Sequence, residues 1–389
     1  MNFYDELGIK PLINASETYT NLGGSLMDPR TFQAMQEAGS HFVDFNELLD
    51  KVCQRAAELT GNEAAFVTTG AAAGVILATA ACMYTGSIDE KNTDHEKLLD
   101  CFPASDKYRK NELLIFDGAF LQIIPYWKLS ALTGAKIIPV QPTAAAIREA
   151  VNEHTAGFIL FPAPLYEKDI LTCEEAIPII KELNINIIVD AAAQLPPASN
   201  LWYYTKKLGA DLVIFSGGKH IRGPQSTGLI AGRKDLIDAV KQLASPNPRI
   251  GRAFKTGKEE LAGFITALEI FVKKETETEY NRQEKLLVHI KEILERQSSP
   301  VTGKRLSLSM QHTGRLGTCQ PLLSVSLPDG KTAKQCNEFT RNYTPAIDIG
   351  VYSPEFNMPE NMIFINAYNL KEEETDAVAQ AVCSFLSQS

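Results

Sequence analysis

The stretch Asp211-Leu-Val-Ile-Phe-Ser216-Gly-Gly-Lys219-His-Ile-Arg222-Gly-Pro-Gln-Ser-Thr-Gly228-Leu-Ile-Ala231 decides how the rest of the chain is read. Asp211 to Ser216 is a short apolar run bounded by glycines, which predicts a buried strand. A second apolar run, Leu229-Ile230-Ala231, follows a polar, glycine-rich turn. Lys219 therefore stands at the mouth of a strand, held near a fixed point and partly desolvated. Those surroundings lower the pKa of a lysine and make its amine a nucleophile toward carbonyl compounds.

Outward from that block, apolar runs alternate with helical patterns. Candidate strands are 64–67, 113–116, 136–140, 158–161 and 185–189, and helices are predicted over 71–83, 144–152 and 173–183. Continuous apolar runs separated by helices predict an α/β fold, a mostly parallel sheet sandwiched by helices, with ligands collecting at the carboxyl ends of the strands. Residues 86–111 carry many charges and predict a loop or surface excursion. Beyond Lys258 two long helices, 259–273 and 276–297, lead to short strands (322–327, 362–365) and a last amphipathic helix, 372–386. The expected organisation is an N-terminal arm and large domain over 1–255, then a linking helix and a smaller C-terminal α/β domain over 256–389.

The bulk numbers narrow the function. The chain has 389 residues, 44% hydrophobic and 22% charged, with a net charge of −9 and no basic block. That balance argues against a nucleic-acid groove. Seven cysteines are dispersed, with no C-x-x-C pair, so reduced thiols and no metal site are expected. Met1 to Glu6 lacks a signal-peptide layout, and no apolar run approaches the roughly 20 residues of a membrane span. A soluble, cytoplasmic protein is expected.

Pyridoxal phosphate (PLP) is a cofactor that needs an amine like that of Lys219. It also needs an acid at the pyridine nitrogen, a phosphate anchor, a group stacked on the ring and a grip on the substrate carboxylate. Asp190 is the candidate for the acid, at the end of Ile187-Ile188-Val189 and ahead of the small residues Ala191, Ala192 and Ala193. In other settings an aspartate there is a helix cap. Thr68-Thr69-Gly70-Ala71-Ala72 opens a helix with hydroxyls and backbone N–H groups, which suits a dianion. Ser216 is a second anchor. The lysine block is not a Walker A loop, and no G-x-G-x-x-G joins a strand to a helix. Arg30, Arg222, Arg252 and Arg315 all remain candidates for the carboxylate. His220 is a candidate acid–base group, and Lys255 and Lys258 stand where an additional anionic group would be met.

Together, Thr68-Thr69-Gly70-Ala71-Ala72-Ala73, the strand ending in Asp190-Ala191-Ala192, and Ser216-Gly-Gly-Lys219-x-x-x-Gly223-Pro-Gln225-Ser-x-Gly228 resemble the selenocysteine synthase-like branch of fold-type-I PLP-dependent enzymes. That branch includes D-glucosaminate-6-phosphate ammonia-lyase. Ile13-Asn14-Ala15, Leu22-Gly23-Gly24-Ser25, Gly61-Asn62-Glu63-Ala64-Ala65 and Arg252-Ala253-Phe254-Lys255 agree. The resemblance covers residues 5–275 and implies a fold-type-I transferase fold that binds pyridoxal 5'-phosphate and assembles as a homodimer or a higher oligomer of dimers. Residues near Gly223 and Gln225 would then reach a neighbouring subunit's cofactor phosphate. Many members stack a histidine on the ring; counting back from Gly134 places Tyr126 at the family's tyrosine and Gln122 at the histidine, so Gln122 or Phe120 covers the ring.

The expected reaction is α,β-elimination of the ammonia-lyase type on a small 2-amino acid or amino sugar acid, phosphorylated in the specific version. Lys219 would attach the cofactor and take the α-proton. An aminotransferase, a racemase, or a selenocysteine synthase-related transferase acting on aminoacyl-tRNA would use the same residues.

Overall fold

The computed structural model describes residues 3–89, 94–118, 125–162, 170–302, 306–352 and 358–388. The chain forms two compact units, one of residues 25–273 and one of residues 1–24 with 274–389. The first strand, β1 (Leu12–Ala15), belongs to the second, smaller unit.

The larger unit holds β2 (Ala64–Thr68), β3 (Glu112–Phe116), β4 (Lys136–Val140), β5 (Thr155–Leu160), β6 (Asn186–Asp190), β7 (Leu212–Ser216) and β8 (Gly228–Gly232). They form one sheet in the order β2-β8-β7-β6-β5-β3-β4. β8 runs antiparallel to both neighbours, and the remaining pairs are parallel. The central strands are buried along nearly their whole length, as continuous apolar runs require when helices cover both faces. At the opposite end from their carboxyl termini, β6 and β7 are tied by Asp211. Its carboxylate accepts the Ile187 N–H at 2.8 Å and pairs with Arg233 at 2.6 Å, and Arg233 also donates to Asn186 Oδ1 at 2.9 Å.

The helix Gly70–Ser87 follows β2 and is buried on all sides, so it lacks an amphipathic stripe. Contrary to the expectation that no apolar run approaches a membrane span, this helix is long and apolar enough by length and composition. The helix is 67% buried, as a core helix is. Thr79 and Thr85 donate their hydroxyls to carbonyls one turn back, at 2.8 Å each, which lets polar side chains lie in an apolar setting.

In the smaller unit, β9 (Ser307–Gln311), β10 (Leu322–Ser326), β11 (Ala346–Val351) and β12 (Met362–Ile365) join β1 in the order β1-β11-β12-β10-β9. β1 pairs parallel with β11, Leu12 opposite Ala346 and Ala15 opposite Ile349. The helices 276–302 and Thr375–Leu386 pack together over this sheet around Leu287, Ile290, Leu294, Val378 and Val382.

The units divide after Gly24 and after Lys273, whereas the sequence reading places the boundary near residue 255. The reason is visible in the helix Lys258–Lys273, which packs on the helices Pro29–Gly39 and Phe45–Thr60. Gly263 permits the approach: a Cβ there would stand 2.7 Å from Pro224 Cγ and 2.8 Å from Met35 Cγ. Within 86–111, expected as a loop, the described part contains a helical turn, His95–Leu99, capped by Asp94 and held by Arg249 through Asp100 at 3.1 Å and through Glu96.

Candidate active site at the strand ends

The sheet register places the candidate residues along one edge. Thr68 pairs with Gly228, and Gly228 pairs in turn with Ser216, so the three form one row across β2, β8 and β7. On the next strand Asp190 lies opposite Ile214, two residues in from Ser216. Lys219 is three residues beyond the end of β7. This is the carboxyl edge of β2, β6 and β7, where open α/β sheets hold ligands.

Tight glycine contacts shape the edge. A Cβ on Gly228 would stand 2.5 Å from the carbonyl carbon of Gly70 and 2.6 Å from the Ala71 nitrogen. Gly70 has φ +82°, the left-handed region that glycine occupies without strain. The turn into the helix Gly70–Ser87 therefore lies directly against β8. Its first N–H groups, Gly70 and Ala71 among them, have no carbonyl four residues back inside the helix. Thr68 donates to Gly70 O at 2.8 Å, and Thr69 donates to Ser226 O at 3.2 Å, which ties this turn to the loop carrying Lys219.

That loop is braced from within. Gly217 donates to Thr227 O at 2.8 Å, Gly223 to Gly217 O at 2.8 Å, and Arg222 to Lys219 O at 3.0 Å. A Cβ on Gly218 would lie 2.4 Å from Gln225 Cα. Arg222 has φ +59°, a conformation that side-chain-bearing residues hold only when their surroundings impose it. Gln225 and Ser226 are exposed at the rim, whereas Lys219 and Ser216 are partly buried.

Asp190 is partly buried, and its Oδ1 accepts the Ala192 N–H at 3.1 Å. Burial pushes its carboxyl up from 3.8 to about 6, against the opposing pull of the Ala192 hydrogen bond and of the Lys219 charge. The Lys219 effect shows that the two side chains share one electrostatic neighbourhood.

The other candidates separate. His220 is 4% exposed and buried in the loop. Arg30 is exposed, and its guanidinium grips Asp28 at 2.8 and 2.9 Å, holding the Asp28 carboxyl down near 2, with Arg222 adding to that effect. Lys258, expected to meet an anionic ligand, instead donates to Ala38 O at 2.5 Å and pairs with Glu259 at 2.7 Å. Arg252 and Lys255 are exposed. Arg315 belongs to the smaller unit, where its guanidinium meets the Tyr19 hydroxyl and lies over the rings of Tyr352 and Phe364, with centroids at 5.6 and 5.1 Å. Burial raises the Tyr19 hydroxyl above its ordinary pKa in spite of that cation. Tyr126 is 55% exposed. Gln122 and Phe120, the two readings of the ring-stacking residue, lie outside the described residues.

Residues 152–326 match the family model of L-seryl-tRNA selenium transferase. A D-glucosaminate-6-phosphate ammonia lyase of Salmonella typhimurium is 31% identical over 274 residues, covering 69% of this chain and 69% of the relative. A 5'-C-glycyluridine monooxygenase-decarboxylase of a Streptomyces species is 30% identical over 273 residues, covering 68% of this chain and 64% of that protein. Among solved structures, a D-glucosaminate-6-phosphate ammonia-lyase superposes with a TM-score of 0.79 at 25% identity, over 99% of this chain and 98% of the other. Sequence and fold agree, and the chain belongs to the D-glucosaminate-6-phosphate ammonia-lyase-like, selenocysteine synthase-related branch of the fold-type-I PLP-dependent enzymes.

Proposed function

We propose that this chain is a PLP-dependent lyase that eliminates ammonia from a phosphorylated 2-amino sugar acid of the D-glucosaminate 6-phosphate type. The observation that carries the reading is the meeting, at one strand edge, of Lys219 with a desolvated carboxyl, Asp190, whose pKa of about 6 calls for a cationic partner. The residues present fit PLP. Asp190 offers one carboxylate to a ring N–H, and the turn at Gly70 and Ala71, which a side chain at position 228 would fill, offers amides to a phosphate. Ser216, Ala192, Gly223 and Gln225 would complete the holding set, with Gln122 or Phe120 as the ring-stacking residue.

PLP, when bound, supplies an electron sink for charge developed at the substrate Cα. The chain does the rest. Lys219 would be the residue that holds the cofactor, and its Nζ amine would serve as the base for the Cα proton. Asp190 would face the ring nitrogen and favour its protonated form. The partial burial of Asp190 and Lys219 would strengthen both effects by reducing solvent screening. We assign the substrate carboxylate and phosphate to Arg222, Arg252 and Lys255; all three are basic, and Arg222 springs from the Lys219 loop itself.

Purified protein is expected to show the cofactor's absorbance, to lose it on Lys219→Ala, and to drop in kcat by roughly 10²- to 10⁴-fold. Incubation with D-glucosaminate 6-phosphate should release ammonia and a keto acid with no amino acceptor. A strict need for a keto-acid co-substrate would instead identify an aminotransferase, and return of the opposite stereoisomer without ammonia a racemase. The selenium-transferase match favours a second reading, a transferase on aminoacyl-tRNA. It predicts salt-sensitive binding of tRNA, which the net charge of −9 opposes.

We further read the protein as cytoplasmic and as a homodimer or higher oligomer of dimers. Leu26, Phe32, Phe42 and Val43, all large, apolar and exposed within one short stretch of sequence, support assembly. Sedimentation should give at least twice the chain mass.

A further inference from the structure

We propose that Ser25 is a positioning residue for Lys219, fixing the peptide that carries the lysine through its own hydroxyl; this rests on the function proposed above. Ser25 Oγ lies 2.7 Å from Lys219 O and 3.0 Å from Gly218 O, so one hydroxyl proton is shared between two consecutive carbonyls. The bonds inside the loop (Gly217 to Thr227, Gly223 to Gly217, Arg222 to Lys219) fix its far side, and Ser25 grips the lysine peptide from outside.

The loop needs that grip. Gly217 and Gly218 bring no side chains to pack, and a Cβ on Gly217 would stand 2.9 Å from Phe264 Cδ2, so bulkier residues could not replace the tether. Arg222, held at φ +59°, stores strain that a loosened loop would release. On its C-terminal side Ser25 leads into a capped helix: Asp28, three residues later, caps the helix Pro29–Gly39 by accepting the Arg30 N–H at 2.9 Å. A rotation of the 218–219 peptide would swing Nζ at the end of a four-carbon arm, and misplacements of about 1 Å cost on the order of 100-fold in rate.

The test compares Ser25→Ala and Ser25→Thr in the full chain. With cofactor bound, Ser25→Ala is expected to lower kcat roughly 10- to 100-fold while KM stays within about threefold, and Ser25→Thr, which keeps the hydroxyl, to restore it. Without cofactor, hydrogen exchange at the Gly217 and Gly223 amides should accelerate at least about tenfold in Ser25→Ala, with the helix Gly70–Ser87 unchanged. Unchanged exchange and kcat in Ser25→Ala, or no rescue by Thr, would overturn the proposal. If Ser25→Ala is insoluble, Ser25→Cys, which keeps the size and weakens the donor, is read in the same two ways. A wild type that never binds PLP refutes the enzyme reading alone, because the cofactor-free exchange comparison still decides what Ser25 holds.

Discussion

Asp190 ends β6 with its carboxyl desolvated and its pKa pushed up from 3.8 to about 6. A carboxyl whose folded pKa exceeds its unfolded value is favourable when protonated and loses that advantage as pH rises through the folded pKa. Between pH 4 and 6 the cofactor-free chain should therefore lose up to about 3 kcal/mol from this group, and the deficit persists above pH 6. Asp190→Asn removes the buried charge. The cofactor-free variant is expected to melt a few degrees above wild type at pH 7–8, with the gap closing as pH falls to 4, while its affinity for PLP drops at least tenfold. Calorimetry across pH and a cofactor titration check both halves; a variant equally stable at every pH would dispose of the desolvated-carboxyl argument. The strand-end positions of Asp190 and Lys219 were legible in the sequence because each follows an apolar run, Asp190 directly and ahead of small residues, Lys219 after two glycines. Lys258 was not, because its ammonium meets Ala38 O, 220 positions away in the chain, and nothing local in sequence announces such a partner.

At the scale of elements, most strands and helices of the larger unit were readable, since a sheet covered on both faces leaves unbroken apolar runs. Spatial order was not. β8 follows β7 in the chain yet lies antiparallel between β7 and β2, and that insertion brings Gly228 against the start of the helix Gly70–Ser87. Gly228→Ala tests what the contact does. The new methyl would meet backbone atoms of Gly70 and Ala71 at 2.5–2.6 Å, and backbone cannot rotate away as a side chain can. Displacing that turn misaims its amides, so PLP affinity should fall at least about tenfold, with a stability loss of about 1–3 kcal/mol from overpacking. Equilibrium titration with PLP against denaturant unfolding separates the two. Loss of stability with unchanged affinity would mean that the turn holds no phosphate.

The smaller unit shows where reading along the chain stops working for the whole molecule. β1 is only four residues, Leu12-Ile-Asn-Ala15, too short to announce itself as a strand, and its partner β11 lies more than three hundred positions later. Parallel pairing across that separation has no local signature, because loop closure rather than propensity sets its cost. The N-terminal segment therefore read as an arm of the large domain, whereas its contacts assign it to the small one. Two side-chain ties reinforce the assignment: Ser16 Oγ donates to Asp348 Oδ2 at 2.5 Å, and Asn366 Nδ2 donates to Glu17 Oε1 at 2.9 Å. Asp348 is 5% exposed and also accepts from Arg341 at 2.6 Å, so removing Ser16 takes one donor from a buried carboxylate. Deleting residues 1–24 would uncover the edge of β11 and leave apolar Ile347 and Ile349 beside unpaired backbone groups. Amides of 346–351 and 362–365 are then expected to exchange at least about a hundredfold faster, while those of β6 and β7 keep their protection, since their sheet is completed within 25–273. Equal acceleration in β6 and β7 would contradict the division of the chain at Gly24.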